Sequence, residues 1–224
     1  MSVLGIVPAR GGSKGVPGKN LAPVGGEPLL VHAIRAALAA GTVDRVVCST
    51  DDDEIAAVAR EAGAEVVMRP AELARDDSPT EDALLHVLDA LGPPEPEYVV
   101  TLEPTSPLRS PGLIDACVRL AQERGADAVI TVAESRAVHG RLEDGLFVPL
   151  VPGQPRRRQL REPLYRESST VYVTRTAYLR ETRSVVGDHV YAHIVPEEEA
   201  IDINSEQDLV VADTLIRRRA GELA

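Results

Sequence analysis

The segment Pro8-Ala9-Arg10-Gly11-Gly12-Ser13-Lys14-Gly15-Val16-Pro17-Gly18-Lys19-Asn20 places three cations, a hydroxyl and four glycines within thirteen residues. Glycines let backbone N–H groups approach an anion closely, Ser13 adds a donor, and Arg10, Lys14 and Lys19 supply charge. In chemical terms this is a cradle for a polyphosphate. The choice of cation is selective: 22 of the 24 basic residues are arginine, and the only two lysines in the chain, Lys14 and Lys19, both lie here. An ammonium is a compact point charge suited to phosphate oxygens, unlike the planar arginine fork. The spacing matches neither G-x-x-x-x-G-K-[ST] nor G-x-G-x-x-G, and no helix is expected to begin inside it. The competing reading is a long mobile loop whose glycines merely turn the chain. Three cations without one carboxylate, in a chain of net charge −11, weigh against it.

Such a loop has to be held by the elements around it. Val3–Pro8 reads as a buried strand that delivers the loop, placing it at the edge where open α/β sheets bind ligands. Pro28 opens a helix to about Ala40, with Leu29, Leu30, Ala33, Ile34, Ala37 and Leu38 on its buried face. Strands follow at Arg45–Thr50, Val66–Met68, Tyr98–Leu102 and Asp127–Ala133. The helices between them run over Asp51–Gly63, from Pro79 to about Leu91, and from Ser110-Pro111 to about Gly125. Ser78-Pro79-Thr80-Glu81 has the form of a capping box. This alternation predicts an α/β fold, a mostly parallel sheet with helices on both faces.

The rhythm breaks after about Glu134. Residues 135–169 are rich in Arg, Pro and Gly and hold one hairpin candidate, Leu142–Val151, so they read as an inserted excursion within a single domain spanning 1–224. A strand resumes at Thr170–Val173, a short helix reaches about Thr182, Tyr191–Val195 is strand-like, and Ser205–Arg219 is a terminal helix. The run Arg217-Arg218-Arg219 suits a helix C-terminus, and Glu197-Glu198-Glu199 a solvated turn.

Composition sets the outer limits. The chain has 224 residues and 44% hydrophobic content, enough for a real core. With 35 acidic residues against 24 basic, a nucleic-acid partner held by phosphate neutralisation is excluded. The carboxylates concentrate in residues 51–100, where 14 face three arginines. No apolar run reaches the roughly 20 residues of a membrane helix and no signal peptide is evident, so a cytoplasmic protein without membrane contact is expected. Cys48 and Cys117 suggest neither a disulfide framework nor a zinc site. The five histidines are scattered and form no nucleophile–base pair.

Ala9–Asn20 resembles the signature loop of the acylneuraminate cytidylyltransferases, also called CMP-sialic acid synthetases. Further matches follow in order: Ser49-Thr50-Asp51, Arg69-Pro70-Ala71-Glu72-Leu73, Pro104-Thr105-Ser106-Pro107-Leu108-Arg109 and Ile201-Asp202-Ile203-Asn204. The resemblance implies a Rossmann-like nucleotidyltransferase fold, a homodimer formed through an excursion such as 135–169, and CTP with Mg²⁺ as the means of activating a nonulosonic acid, with pyrophosphate released. On that basis Arg10, Ser13, Lys14 and Lys19 would hold the β- and γ-phosphates, with Gly11 and Gly12 completing the loop. Ala9 and Asn20 would lie against the nucleoside, and Arg69, Ser78 and Thr80 would contact the cytidine. Ser78 and Thr80 are also expected to cap the helix that they begin.

Asp202 is the first candidate for the metal. In Ile201-Asp202-Ile203-Asn204 the alternation sends both polar side chains one way and the isoleucines the other. Asn204 is a second candidate ligand, and Asn204 or Ser205 is equally a helix N-cap. The family often has Asp at position 204, and an amide binds Mg²⁺ less strongly. On the acceptor side, Thr105 and Ser106 offer hydroxyls, and Glu103 stands where the family usually has Gln. A carboxylate there favours an acceptor with an amino or additional hydroxyl group. Arg158 and Arg166 are candidates to clamp a carboxylate bidentately, although Arg156-Arg157-Arg158 and Arg161 equally suit solvent or a dimer contact. The catalytic set is therefore Arg10, Lys14, Lys19 and Asp202. The expected reaction is CMP transfer from CTP to the anomeric hydroxyl of a sialic-acid-like sugar. A nucleotidyltransferase for another acceptor, such as a phosphonate or sugar phosphate, and a catalytically silent nucleotide-binding module are the alternatives.

Overall fold

Strand β1, Val3–Pro8, lies inside the sheet because it is apolar in both directions. Val3 and Val7 join the hydrophobic cluster on one face, and Leu4 and Ile6 join the cluster on the other. Such near-continuous apolar runs mark strands covered on both sides. A computed structural model describes residues 2–12, 15–187 and 189–222. After β1 come a 3-10 turn at Lys19–Leu21 and a two-stranded ribbon of β2, Pro23–Val24, and β3, Glu27–Pro28. Then follow α1, Leu29–Ala39; β4, Arg45–Thr50; α2, Asp53–Glu61; β5, Glu65–Met68; α3, Thr80–Leu91; and β6, Tyr98–Thr101. The second half contains α4, Pro111–Arg124; β7, Ala128–Ser135; β8, Gly140–Glu143; β9, Leu146–Pro149; β10, Leu164–Arg175; α5, Thr176–Thr182; β11, Val190–Val195; and α6, Glu206–Arg219.

Seven strands form one sheet in the order β11-β7-β10-β6-β1-β4-β5. Helices α1, α2 and α4 cover one face, and α3 with Leu179 of α5 covers the other. The sheet is mostly parallel, as expected, and β10 is the exception, running antiparallel to both β6 and β7. The connection from β7 to β10 is the excursion rather than a crossover helix, and a chain that returns without a crossover pairs antiparallel. The outer ends of the same two strands, Thr131–Ser135 and Leu164–Ser168, continue the pairing beyond the core. Strand β10 thus begins six residues before the predicted Thr170. The polar text Arg166-Glu167-Ser168-Ser169 gives no apolar signal, since backbone pairing rather than burial fixes it there.

The excursion carries the β8–β9 hairpin and leaves an unusual amount of apolar surface in solvent. Leu142 is 78% exposed and Phe147 56%, and Leu146, Leu150, Leu160 and Tyr165 are also exposed. One capping expectation comes out differently, and another is decided between its two candidates. Helix α3 starts at Thr80 with Pro79 at the cap position and no side-chain cap. The Ser78 hydroxyl instead donates to the Glu72 carbonyl at 2.9 Å and accepts from the Arg75 N–H at 3.2 Å. At α6 it is Ser205, not Asn204, that caps, in a reciprocal box with Asp208.

Candidate active site

Strands β1, β4, β5 and β6 run parallel, so the residues leaving them, from Pro8, Thr50, Met68 and Thr101 onward, emerge on one edge of the sheet. Chain order proceeds from β1 to β4 and β5 on one side and then returns to β6 on the other. Ligands of open α/β sheets bind at such a reversal, outside the carboxyl ends of the strands. A cleft of about 370 Å³ lies there, walled by Pro8, Arg10, Gly15, Lys19, Asn20, Arg69, Ser78, Thr80, Glu103, Thr105 and Asn204, with Leu73, Arg75 and Asp76 on the rim loop. Chain segments nearly two hundred residues apart meet in it.

The glycine-rich loop is fixed mainly through its backbone. Ala9 N–H donates to the Ser49 carbonyl at 2.9 Å, Gly11 N–H donates to Asp51 Oδ1 at 3.0 Å, and the buried Asn20 amide donates to the Arg10 carbonyl at 2.9 Å. Two glycines are required by close approach. A Cβ at Gly11 would lie 2.7 Å from Asp52 Oδ2, and one at Gly15 would lie 2.7 Å from the Asn204 carbonyl oxygen. Arg10 pairs with Asp76 of the rim loop, Nη1 to Oδ1 at 2.7 Å. Lys19 Nζ donates to the Ile203 carbonyl at 2.8 Å. Burial lowers the Lys19 pKa, while Asp202 and Glu103 oppose that shift by favouring the ammonium. Arg69 is only 8% exposed, and its Nε is buried without a hydrogen-bond partner. Burial lowers its pKa, against the pull of Asp51.

The opposite wall is the loop after β6. Glu103 opens into the cleft. Burial raises its pKa first, Asp202 adds to that, and Arg109 and Lys19 counter it. The loop is held from beneath by Arg109, whose Nη2 donates to the Glu103 carbonyl at 2.6 Å, and Ile203 N–H donates to the Thr105 carbonyl at 2.9 Å. The segment Ile201–Asn204 is thereby tied to both walls. Ile203 is fully buried as expected, and Asp202 and Asn204 share a side, with Asn204 Nδ2 donating to Asp202 Oδ2 at 2.7 Å. Asp202 faces a second hollow of about 650 Å³ that Asn204 and Arg166 also line. Ile201 departs from the expected alternation: it is only half-buried and lines the same hollow as Asp202 and Asn204. Arg166 Nη2 approaches the Ala200 carbonyl at 3.4 Å.

Most of the candidates converge, and some do not. Arg10, Lys19, Asn20, Arg69, Ser78, Thr80, Glu103, Thr105 and Asn204 line the cleft, with Asp202 and Arg166 in the adjoining hollow. Ala9 and Ser106 are buried behind the wall, and Gly11 is engaged with Asp51. Gly12 is exposed and apart from the lining residues, as is Arg158 in the excursion. Ser13 and Lys14 lie outside the described residues. Sequence reasoning missed Arg75 and Asp76, which stand between the named Arg69 and Ser78 in a charged stretch that composition assigns to solvent. It quoted Arg109 within a motif but gave it no role, because only burial reveals that its guanidinium props the loop. Among the described residues no three of His, Cys, Asp and Glu come together to hold a metal.

Comparison with known proteins gives the family and the fold. The sequence profile of the family described as Cytidylyltransferase matches residues 4–200. The chain is 30% identical over 218 residues to an N-acylneuraminate cytidylyltransferase of Streptococcus agalactiae serotype III, covering 94% of this chain and 52% of that protein. It thus spans about half the length of that relative. It is also 30% identical over 227 residues to a CMP-N,N'-diacetyllegionaminic acid synthase of Legionella pneumophila, covering 96% of this chain and 97% of that one. The fold is similar to that of a CMP:2-keto-3-deoxy-manno-octonic acid synthetase solved with CTP, at a TM-score of 0.74, 17% identity, and coverage of 98% and 100% of the two chains. With the loop, the strand-end cleft and the family match in agreement over most of its length, the chain belongs to the cytidylyltransferase family.

Proposed function

We propose that the protein transfers CMP from CTP to the anomeric hydroxyl of a nonulosonic, sialic-acid-like sugar. The observation that carries this reading is the single cleft in which the cationic loop, the buried Arg69 and the Glu103–Thr105 loop face one another, in a chain whose relatives are named for such reactions. The hydroxyl oxygen forms a bond to the α-phosphorus, the bond from that phosphorus to the bridging oxygen breaks, and pyrophosphate leaves. The hydroxyl proton passes to a base, for which Asp202, in the adjoining hollow, is the carboxylate candidate. Arg10 and Lys19, with Lys14 from the same loop, neutralise the β- and γ-phosphates, and Ser13 donates a hydrogen bond to them. Arg69, the Ser78–Thr80 turn and the loop backbone bound a slot suited to a pyrimidine. Glu103, Thr105 and Arg166 lie toward the acceptor.

The donor set fits a hard divalent cation. Asp202 offers a carboxylate, and the amide nitrogen of Asn204 is turned toward Asp202, leaving the amide oxygen as a second hard donor. Mg²⁺ typically takes one or two carboxylates and completes its shell with water and substrate phosphates, so Asp202 and Asn204 would hold it with the triphosphate. When bound, it would neutralise charge on the phosphate oxygens and position them for in-line displacement. The reading retains a homodimer joined through residues 135–169, supported by the exposed apolar side chains there. It also retains a cytoplasmic location, where CTP is available. Glu103 is the feature that favours another acceptor within the same reaction class.

The test is pyrophosphate release measured with each nucleoside triphosphate and a panel of sugars, with and without Mg²⁺. Turnover specific to CTP and a nonulosonate is expected. Turnover only with phosphonates or sugar phosphates would replace the acceptor, and no turnover with CTP would overturn the reading.

A further inference from the structure

Two carboxylates line the cleft: Glu103 on the loop after β6, and Asp76 among the cations. Asp76 shares the lining with Arg10, Lys19, Arg69 and Arg75, and its Oδ1 is 2.7 Å from Arg10 Nη1, with the two side chains 42% and 31% exposed. The loop that carries it is closed on itself. Leu73 N–H donates to the Pro70 carbonyl, Ala74 N–H to the Ala71 carbonyl and Ser78 N–H to the Arg75 carbonyl, while the Ser78 hydroxyl donates to the Glu72 carbonyl. Residues 70–78 therefore form one unit with Asp76 near its tip. An incoming triphosphate that uses Arg10 competes with this carboxylate, because a second anion brought close to the guanidinium is repelled by the first.

We propose that Asp76 is an intramolecular stand-in for the polyphosphate. It occupies Arg10 in the empty site, yields to the β- and γ-phosphates of CTP, and re-forms its ion pair as pyrophosphate leaves. Its effect is selective: ligands that reach Arg10 compete with it, whereas CMP, whose phosphate is the α-phosphate, does not. Asp76 thus sets affinity for nucleoside triphosphate and pyrophosphate independently of affinity for the cytidine. This inference rests on the reading of CTP with its terminal phosphates at Arg10.

A purely positioning role makes the opposite prediction. If Asp76 only orients Arg10, its loss weakens CTP binding; if it competes, its loss strengthens it. The experiment is titration calorimetry of CTP, CMP and pyrophosphate against wild type and Asp76→Asn at fixed ionic strength. Asp76→Ala and melting curves of both variants serve as controls for folding. An exposed ion pair contributes modestly, so the dissociation constants for CTP and pyrophosphate are expected to fall about two- to fivefold. That for CMP stays unchanged. In an Arg10→Ala background the gain disappears, whereas a general effect of removing one negative charge would persist there. Weaker or unaltered CTP binding in Asp76→Asn, equal tightening of CMP, or a gain that survives Arg10→Ala would each overturn the proposal. Wild-type protein that binds no CTP would instead overturn the functional reading beneath it.

Discussion

The two sides of the candidate active site are built by different physics. The nucleotide side is assembled from the carboxyl ends of buried parallel strands. Its loop is fastened by backbone hydrogen bonds to Ser49 and Asp51, and Arg69 is placed by the end of β5 with almost no freedom. The acceptor side is looser. Glu103 has a firm base in Arg109, but Arg166 lies in a shallower hollow and Arg158 stands out in the excursion, amid apolar side chains that solvent covers in this chain. Where an element feeds the central sheet, one chain completes the site; where it leaves the sheet, the surface is left for a partner or a substrate to cover.

That contrast can be broken experimentally. The largest effect is expected at Lys19, whose ammonium links the loop to Ile203 and faces both Asp202 and Glu103. Lys19→Ala should lower kcat/KM for CTP about 100- to 1,000-fold, as removal of a transition-state charge donor does, with a small change in melting temperature. Equal loss of folding and activity would make Lys19 a structural residue and erase the distinction between the two sides. Next is the excursion. Replacing Leu142 and Phe147 together by Asp should convert a dimer to a monomer in sedimentation. CTP affinity should stay within about 0.5 kcal/mol of wild type, as expected for surface substitutions away from a site. Wild-type protein that already sediments as a monomer at micromolar concentration would remove the reason for calling the acceptor side incomplete. The smallest effect is at Glu103. Glu103→Gln keeps shape and removes charge, so CTP use should be nearly unchanged while preference shifts toward acceptors without an amino or additional hydroxyl donor, by about tenfold, the worth of one hydrogen bond to a charged group. An unaltered acceptor profile would place Glu103 outside acceptor recognition.

Much of this was legible in the chain itself. Val3–Pro8 and Arg45–Thr50 are strands because apolar residues fill both faces, and their limits coincide with those predicted. The cationic loop was legible because local composition departs so far from the rest of the chain, and Asp202 and Asn204 because alternation is a local property. The misses share a cause. Strand β10 begins early in polar text, since pairing along the edge of a sheet requires only backbone groups. Ser78 looked like a cap, but its hydroxyl closes a loop through Glu72, a contact six residues back that no capping motif encodes. Asp76 was not singled out among the 14 carboxylates of residues 51–100, since the approach of Arg10 from 66 residues away is not visible in the local sequence.

The sequence by itself determined the class of fold, the chemistry of the loop and the family, because periodicity, residue type and motif are properties of neighbours along the chain. Tertiary structure alone decided that β10 turns antiparallel, that Arg109 braces Glu103, and that Asp76 meets Arg10. Those facts depend on which distant segments become neighbours, and burial and Coulomb energy act on distance in space, not on separation in sequence.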